Sequence, residues 1–220
     1  MSRSALRVKI CGITTADQAI AISQLGITTL GFICVQASPR WIEPEQIGAI
    51  AQALTPTPNR HRIGVFAQPS LETLAQTVRQ GQLTGIQLHG DESLALAEAV
   101  RDRFPELELI KACRIREAAD LELAQQFSAT VDRLLLDAYH PTLLGGTGHS
   151  LDWKLLQTFA PPVPWLLAGG LTPDNVIEAL SQVQPGGIDL SSGVEQSPGL
   201  KDLAQVQRLC HNLRTVAEIC

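Results

Sequence analysis

The five cysteines, Cys11, Cys34, Cys113, Cys210 and Cys220, make no CxxC pair anywhere in the 220 residues. An odd count without paired spacing argues against a disulfide framework and against a zinc site, so reduced thiols and no metal are expected. The 17 Lys and Arg residues are scattered, without a basic block, and the net charge is −5. A nucleic-acid surface normally shows a basic stripe, so no nucleic-acid partner is expected. The longest apolar segments, such as WLLAGGL, fall far short of the roughly 18 residues of a membrane helix. The stretch MSRSALRVKI lacks the apolar run of a signal peptide. A soluble, cytoplasmic protein with no membrane partner is the expectation. An anionic small molecule remains open as ligand, because backbone amides hold phosphate without net positive charge.

What the chain does contain is regular alternation. Short β-rich apolar runs are read at Leu6–Ile10, Thr29–Val35, Arg62–Phe66, Gly85–Leu88, Leu107–Cys113, Arg133–Asp137, Pro164–Ala168 and Gly187–Leu190. Several, such as TLGFICV and RLLLDA, are apolar almost throughout, as parallel strands covered on both faces are. Amphipathic stretches follow each strand, among them Asp152–Phe159 after the sixth, Pro173–Gln182 after the seventh and Lys201–Val216 after the eighth. Eight units of about 27 residues predict a compact (β/α)8 barrel, one domain over residues 1–220. A doubly wound open sheet shows the same alternation, but the even spacing and the lack of a GxGxxG turn after the first strand favour closure.

Chemistry in such a barrel sits at the carboxyl ends of the strands. In VKICGIT, alternation puts Lys9 and Cys11 on one face of the first strand and Val8 and Ile10 on the other. If the aliphatic pair packs on helices, Cys11 stands at the barrel rim with Lys9 beneath it. A nearby ammonium lowers a thiol pKa, making a usable base; Lys9 is equally readable as an ion-pair partner of Asp189 on the eighth strand. Asp137 closes RLLLD pointing inward, where partial loss of water keeps a proton available for donation. The following loop, Ala138–Ser150, is long and glycine-rich and reads as a lid or ligand contact. In GGLTPDN, Thr172 suits an N-cap and Pro173 the first helical position, with Gly169 and Gly170 allowing close backbone approach. Together with Ser192 and Gly193 in SSGVE, this predicts a phosphate cradle after strands seven and eight. Arg40 in ASPRW reads either as a carboxylate clamp or as a solvated arginine, and His89 in QLHGDE as a pocket residue or one satisfied by backbone. The other four cysteines and the three tryptophans read as packing residues.

In this order and spacing, VKICGIT, GFICVQASPR, GVF, IQLHGDE, LLLDAY, GGTGHSLDW, LAGGLTPDNV and IDLSSGVEQSPGLKD strongly resemble the phosphoribosylanthranilate isomerase family from Val8 to about Asp202. The resemblance implies an Amadori rearrangement of N-(5′-phosphoribosyl)anthranilate without metal or organic cofactor, by a monomer. It implies Cys11 as general base, Asp137 as general acid and Arg40 as the clamp on the anthranilate carboxylate. It further implies Asp189 as a second pocket carboxylate and Gly170 and Gly193 as phosphate-binding glycines. The chain departs from the family pattern at His149 and Leu151, where lysine and phenylalanine are more usual, and at Cys34, where an aromatic is expected. A lyase barrel of the same pathway, indole-glycerol-phosphate synthase, is disfavoured because the barrel begins within the first ten residues. A non-catalytic phosphate sensor would need neither Cys11 nor Asp137.

Overall fold

Strand β1 (Arg7–Cys11) pairs in parallel with β2 (Thr29–Ile33) on one side and with β8 (Gly187–Leu190) on the other, which closes the sheet. This is a computed structural model, and it describes residues 5–138 and 152–216. Between those strands run β3 (His61–Phe66), β4 (Gly85–Leu88), β5 (Glu108–Ile115), β6 (Arg133–Ala138) and β7 (Trp165–Leu167), each bonded to the next in chain order. Helices α1 (Ala16–Gln24), α2 (Pro44–Ala53), α3 (Leu71–Gly81), α4 (Leu94–Arg103), α5 (Ala118–Gln125), α6 (Val176–Gln182) and α7 (Leu203–Arg214) lie between and after them. The fold is a (β/α)8 barrel, as the alternation predicts.

Local chemistry starts the helices where the sequence changes period. Thr15, Ser70 and Ser93 each accept a hydrogen bond from the backbone N–H three residues on, at the heads of α1, α3 and α4. Such a cap stabilises a helix by about 1 kcal/mol. Val8 and Ile10 are fully buried against the helices, while Lys9 and Cys11 face the interior, as predicted. A fully buried side chain of this size stabilises the fold by about 1.5–3 kcal/mol.

The barrel interior is mixed. Ile63, Ile110, Ala112, Leu135, Leu166 and Ala168 form an apolar cluster contributed by β3, β5, β6 and β7 with its end. Lys9 on β1, Gln87 on β4 and Asp189 on β8 are buried polar side chains, and Gly31 stands on β2. At the amino end a charged floor closes the barrel. Arg7 Nη2 donates to Glu108 Oε2 at 2.7 Å, Arg133 Nε donates to Glu108 Oε1 at 2.8 Å, and Arg7 Nε donates to Thr29 at 2.9 Å.

Three segments differ from the sequence reading. The stretch after β6 forms only a 3₁₀ turn, Trp153–Leu156, where a helix over Asp152–Phe159 is expected. The run is about two turns long and ends at Pro161 and Pro162, too short to repay helix nucleation. Lys201, expected at the start of the last helix, instead belongs to β10 (Leu200–Lys201), which pairs antiparallel with β9 (Glu195–Ser197). Pro198 and Gly199, the latter at φ +83°, supply the turn between them. Asp202 then starts α7 by accepting from the N–H groups of Ala204 and Gln205. Most of the proposed lid, Tyr139–Ser150, together with His149, Leu151 and Cys220, lies outside the described residues.

Candidate active site

The carboxyl ends of the strands surround a cavity of about 380 Å³, within the size range of small-molecule sites. Cys11, Arg40, His89, Asp137, Gly170, Asp189, Ser192 and Gly193 all line it. Eight residues singled out from separate stretches of sequence therefore meet in one place. A second hollow, of about 480 Å³, lies among the α2–β3 connection, Arg62 and Gln82 and brings no acid–base pair together.

Cys11 ends β1 with only 5% of its surface exposed, yet it faces the cavity. Opposite it stands Gly31 of β2, where a Cβ would fall 2.8 Å from the Cys11 sulfur and 3.0 Å from Lys9 Nζ. Only a glycine leaves room there for both side chains. Beneath the thiol, Lys9 Nζ donates to Asp189 Oδ2 at 2.9 Å, both groups being buried. This is the ion pair expected from the β1–β8 adjacency. Burial alone would strip the ammonium of its proton, but Asp189 and Cys11 hold the Lys9 pKa above the usual range.

The expectation that Lys9 lowers the Cys11 pKa is corrected in its net sign. Burial pushes the thiol up, Lys9 and Lys201 pull it down, Asp189 pushes it up again, and the balance lies above the ordinary value. Lys9 does act in the expected direction. Desolvation is the larger effect, so it prevails.

Across the cavity, Asp137 ends the apolar run of β6, and its Oδ1 accepts from the Ala138 N–H at 2.9 Å. Its Oδ2 lies 3.2 Å from His89 Nε2, and His89 Nδ1 lies 3.0 Å from Gln87 Nε2. His89 is thus a pocket residue, held by a side chain as well as by its strand.

The predicted anion cradle combines two loops. Gly169 and Gly170 adopt φ of +83° and +67°, conformations that side chains disfavour. Thr172 Oγ1 accepts from the N–H groups of Asp174 and Asn175, and its carbonyl accepts from Val176 N at 3.1 Å, so it caps the turn before the helix, whose own N-cap is Asn175 rather than the predicted Thr172. The α-helix proper begins at Val176, after a turn through Pro173–Asn175. Gly193 packs so closely on this loop that a Cβ would fall 1.9 Å from the Leu171 carbonyl oxygen.

Arg40 differs from both sequence readings in one respect. Its Nε and Nη2 are occupied by Glu195, at 3.0 Å to Oε1 and 2.7 Å to Oε2, which leaves Nη1 without a hydrogen bond among the described residues. Glu195 and Lys201 were not singled out from the sequence. Glu195 is 155 positions from Arg40, and only the fold brings the two together. Among the described residues no His, Cys, Asp and Glu cluster could hold a metal ion, and no helix is long and apolar enough to cross a membrane.

A family model described as N-(5′-phosphoribosyl)anthranilate (PRA) isomerase matches residues 8–212. The chain belongs to this family. It is 59% identical over 209 residues to the N-(5′-phosphoribosyl)anthranilate isomerase of a Synechococcus species, covering 94% of this chain and 96% of the relative. The enzyme of the same name from Acaryochloris marina is 55% identical over 216 residues, 96% of this chain and 99% of the relative. Among solved structures, phosphoribosyl anthranilate isomerase from Thermotoga maritima superposes with a TM-score of 0.87 at 33% identity, covering 96% of this chain and 100% of that one. A further isomerase of the family was solved in complex with reduced 1-(o-carboxyphenylamino)-1-deoxyribulose 5-phosphate, at TM-score 0.82, 32% identity and the same coverage. As a phosphoribosylanthranilate isomerase, the chain is an enzyme of tryptophan biosynthesis, and the residues of this cavity are the candidates for its chemistry.

Proposed function

We propose that this cavity performs the Amadori rearrangement of N-(5′-phosphoribosyl)anthranilate to 1-(2-carboxyphenylamino)-1-deoxyribulose 5-phosphate, with Asp137 as general acid and Cys11 as general base. The observation that carries this reading is that the Cys11 thiol and the Asp137 carboxylate face the same cavity, together with the glycine loops and an arginine. The ligand of the solved relative supports it, because it carries the carboxyphenylamino and phosphate groups that the two ends of this cavity suit.

In this mechanism the phosphate sits on Gly170, Ser192 and Gly193, and the anthranilate carboxylate meets Arg40. Asp137 gives its proton to the furanose ring oxygen, the C1′–O bond breaks, and a protonated Schiff base forms. The iminium acidifies the C2′ hydrogen, which the Cys11 thiolate removes. The enolamine then takes a proton at C1′ as C2′ becomes the ketone. Oxidation at C2′ is matched by reduction at C1′, so the reaction balances without a cofactor. Asp189 and His89 line the stretch between acid and base and face the sugar hydroxyls.

Rescue of a tryptophan auxotroph lacking this isomerase step, with Cys11→Ala as control, tests the whole reading. Growth with the unaltered chain and none with the variant is the expected outcome; growth with both removes Cys11 from its role. We further propose a single-domain, monomeric, cytoplasmic enzyme, since one chain supplies every residue of the site. A Thermotoga maritima relative is described as dimeric, and sedimentation of the purified protein distinguishes the two states.

A further inference from the structure

Two charged side chains without a task in this chemistry, Glu195 and Lys201, meet Arg40 beside the cavity. Glu195 sits on the β9–β10 hairpin with its side chain 3% exposed, and Lys201 is wholly buried. Glu195 accepts from Arg40 through both oxygens, from Lys201 Nζ at 2.7 Å and from the Gly199 N–H at 3.2 Å. On its other side Lys201 Nζ lies 3.4 Å from Ser191 Oγ, which in turn donates to the Cys11 carbonyl at 3.0 Å. Gly12, next to Cys11, is packed so tightly here that a Cβ would fall 2.8 Å from Arg40 Cδ and 3.4 Å from Lys201 Nζ.

The charged and titratable groups acting on the sulfur divide by sign. Lys9 from β1 pulls the thiol down and Asp189 from β8 pushes it up, and the Cys34 thiol beyond the end of β2 is uncharged, being pushed up to about 12 by burial. Within the hairpin cluster it is the Lys201 ammonium whose charge pulls the thiol down. It adds to the larger pull of Lys9, and Asp189 opposes both. Burial drives the Lys201 ammonium toward losing its proton, and Glu195 opposes that loss.

We propose that Glu195 is a positioning residue for the isomerisation, which aims the free Nη1 of Arg40 at the substrate carboxylate and holds the Lys201 ammonium beside Cys11. One buried anion thereby serves both carboxylate recognition and thiol ionisation. This inference rests on the roles given above to Arg40 and Cys11.

The experiment pairs steady-state kinetics with the pH dependence of iodoacetamide labelling of free enzyme, read on the Cys11 peptide by mass spectrometry. Glu195→Gln raises KM by about tenfold or more, as Arg40→Ala does, because uniform binding is lost. It also moves the labelling midpoint up by about half a pH unit or more, as Lys201→Met does, because the buried Lys201 gives up its proton once Glu195 no longer holds it. Lys201→Met leaves KM within about twofold, and Glu195→Asp, which keeps the charge, restores the midpoint. A Glu195→Gln variant that folds by circular dichroism and leaves either quantity unchanged overturns the proposal. If that variant does not fold, an unshifted midpoint in Lys201→Met overturns it. Full turnover by Cys11→Ala would instead mean that the base assignment itself has failed.

Discussion

His89 Nε2 stands 3.2 Å from Asp137 Oδ2 without hydrogen-bond geometry, so that this ring nitrogen is buried and unpartnered. If the Gln87 amide nitrogen donates to Nδ1, 3.0 Å away, the ring proton is left on Nε2, beside the carboxylate. Once Asp137 has given up its proton, this N–H is the adjacent donor for the anion that remains. His89→Ala should lower kcat by up to about 10²-fold with little change in KM, the cost of a misplaced catalytic group. Steady-state assay of the purified variant checks this; a change in KM alone would make His89 a binding residue.

Cys11→Ala and Asp137→Asn should each reduce kcat by about 10²–10⁴-fold while melting as the unaltered protein does, since each proton transfer contributes on that scale. The fluorescence change on substrate conversion reads the rate. Near-normal turnover by either variant would take that residue out of the mechanism.

Gly193→Ala should weaken phosphate binding, because its Cβ would fall 1.9 Å from the Leu171 carbonyl oxygen and the two loops must part. KM should rise by roughly tenfold with a smaller effect on kcat. Competitive inhibition by inorganic phosphate should weaken by the same factor, which separates loss of the cradle from general damage.

The barrel floor predicts an acid limit to stability. Burial alone would raise the Glu108 pKa, but hydrogen bonds from His61 and Arg7 and the charges of Arg7 and Arg133 hold it far below the usual carboxylate range. Its folded pKa lies below the unfolded value of about 4.3, so its contribution is complete above that value and fades as pH falls further. Glu108→Gln leaves the buried Arg7 and the part-buried Arg133 without their anion and should cost about 3–5 kcal/mol at neutral pH. Urea melts at pH 7 and pH 3 check both points: the gap between variant and parent should narrow in acid.

Much of this was legible because the signals were local or followed from closure. Alternation in VKIC assigned Val8 and Ile10 outward and Lys9 and Cys11 inward, and neighbouring first and eighth strands explain why Lys9 meets Asp189 from 180 positions away. The β9–β10 hairpin was not legible. Strands of three and two residues show no alternation, and EQSPGLK reads as a loop entering a helix. The sign of the Cys11 shift was hidden for a different reason. It depends on how much water the fold removes from the sulfur, and no spacing in sequence reports that.

Gly31 carries a lesson for anyone redesigning this site. A Cβ at Gly31 would fall 2.8 Å from the sulfur, so the β2 side of the base is already filled to contact. Exchanging Cys11 for a bulkier proton acceptor, such as glutamate, would find no slack there.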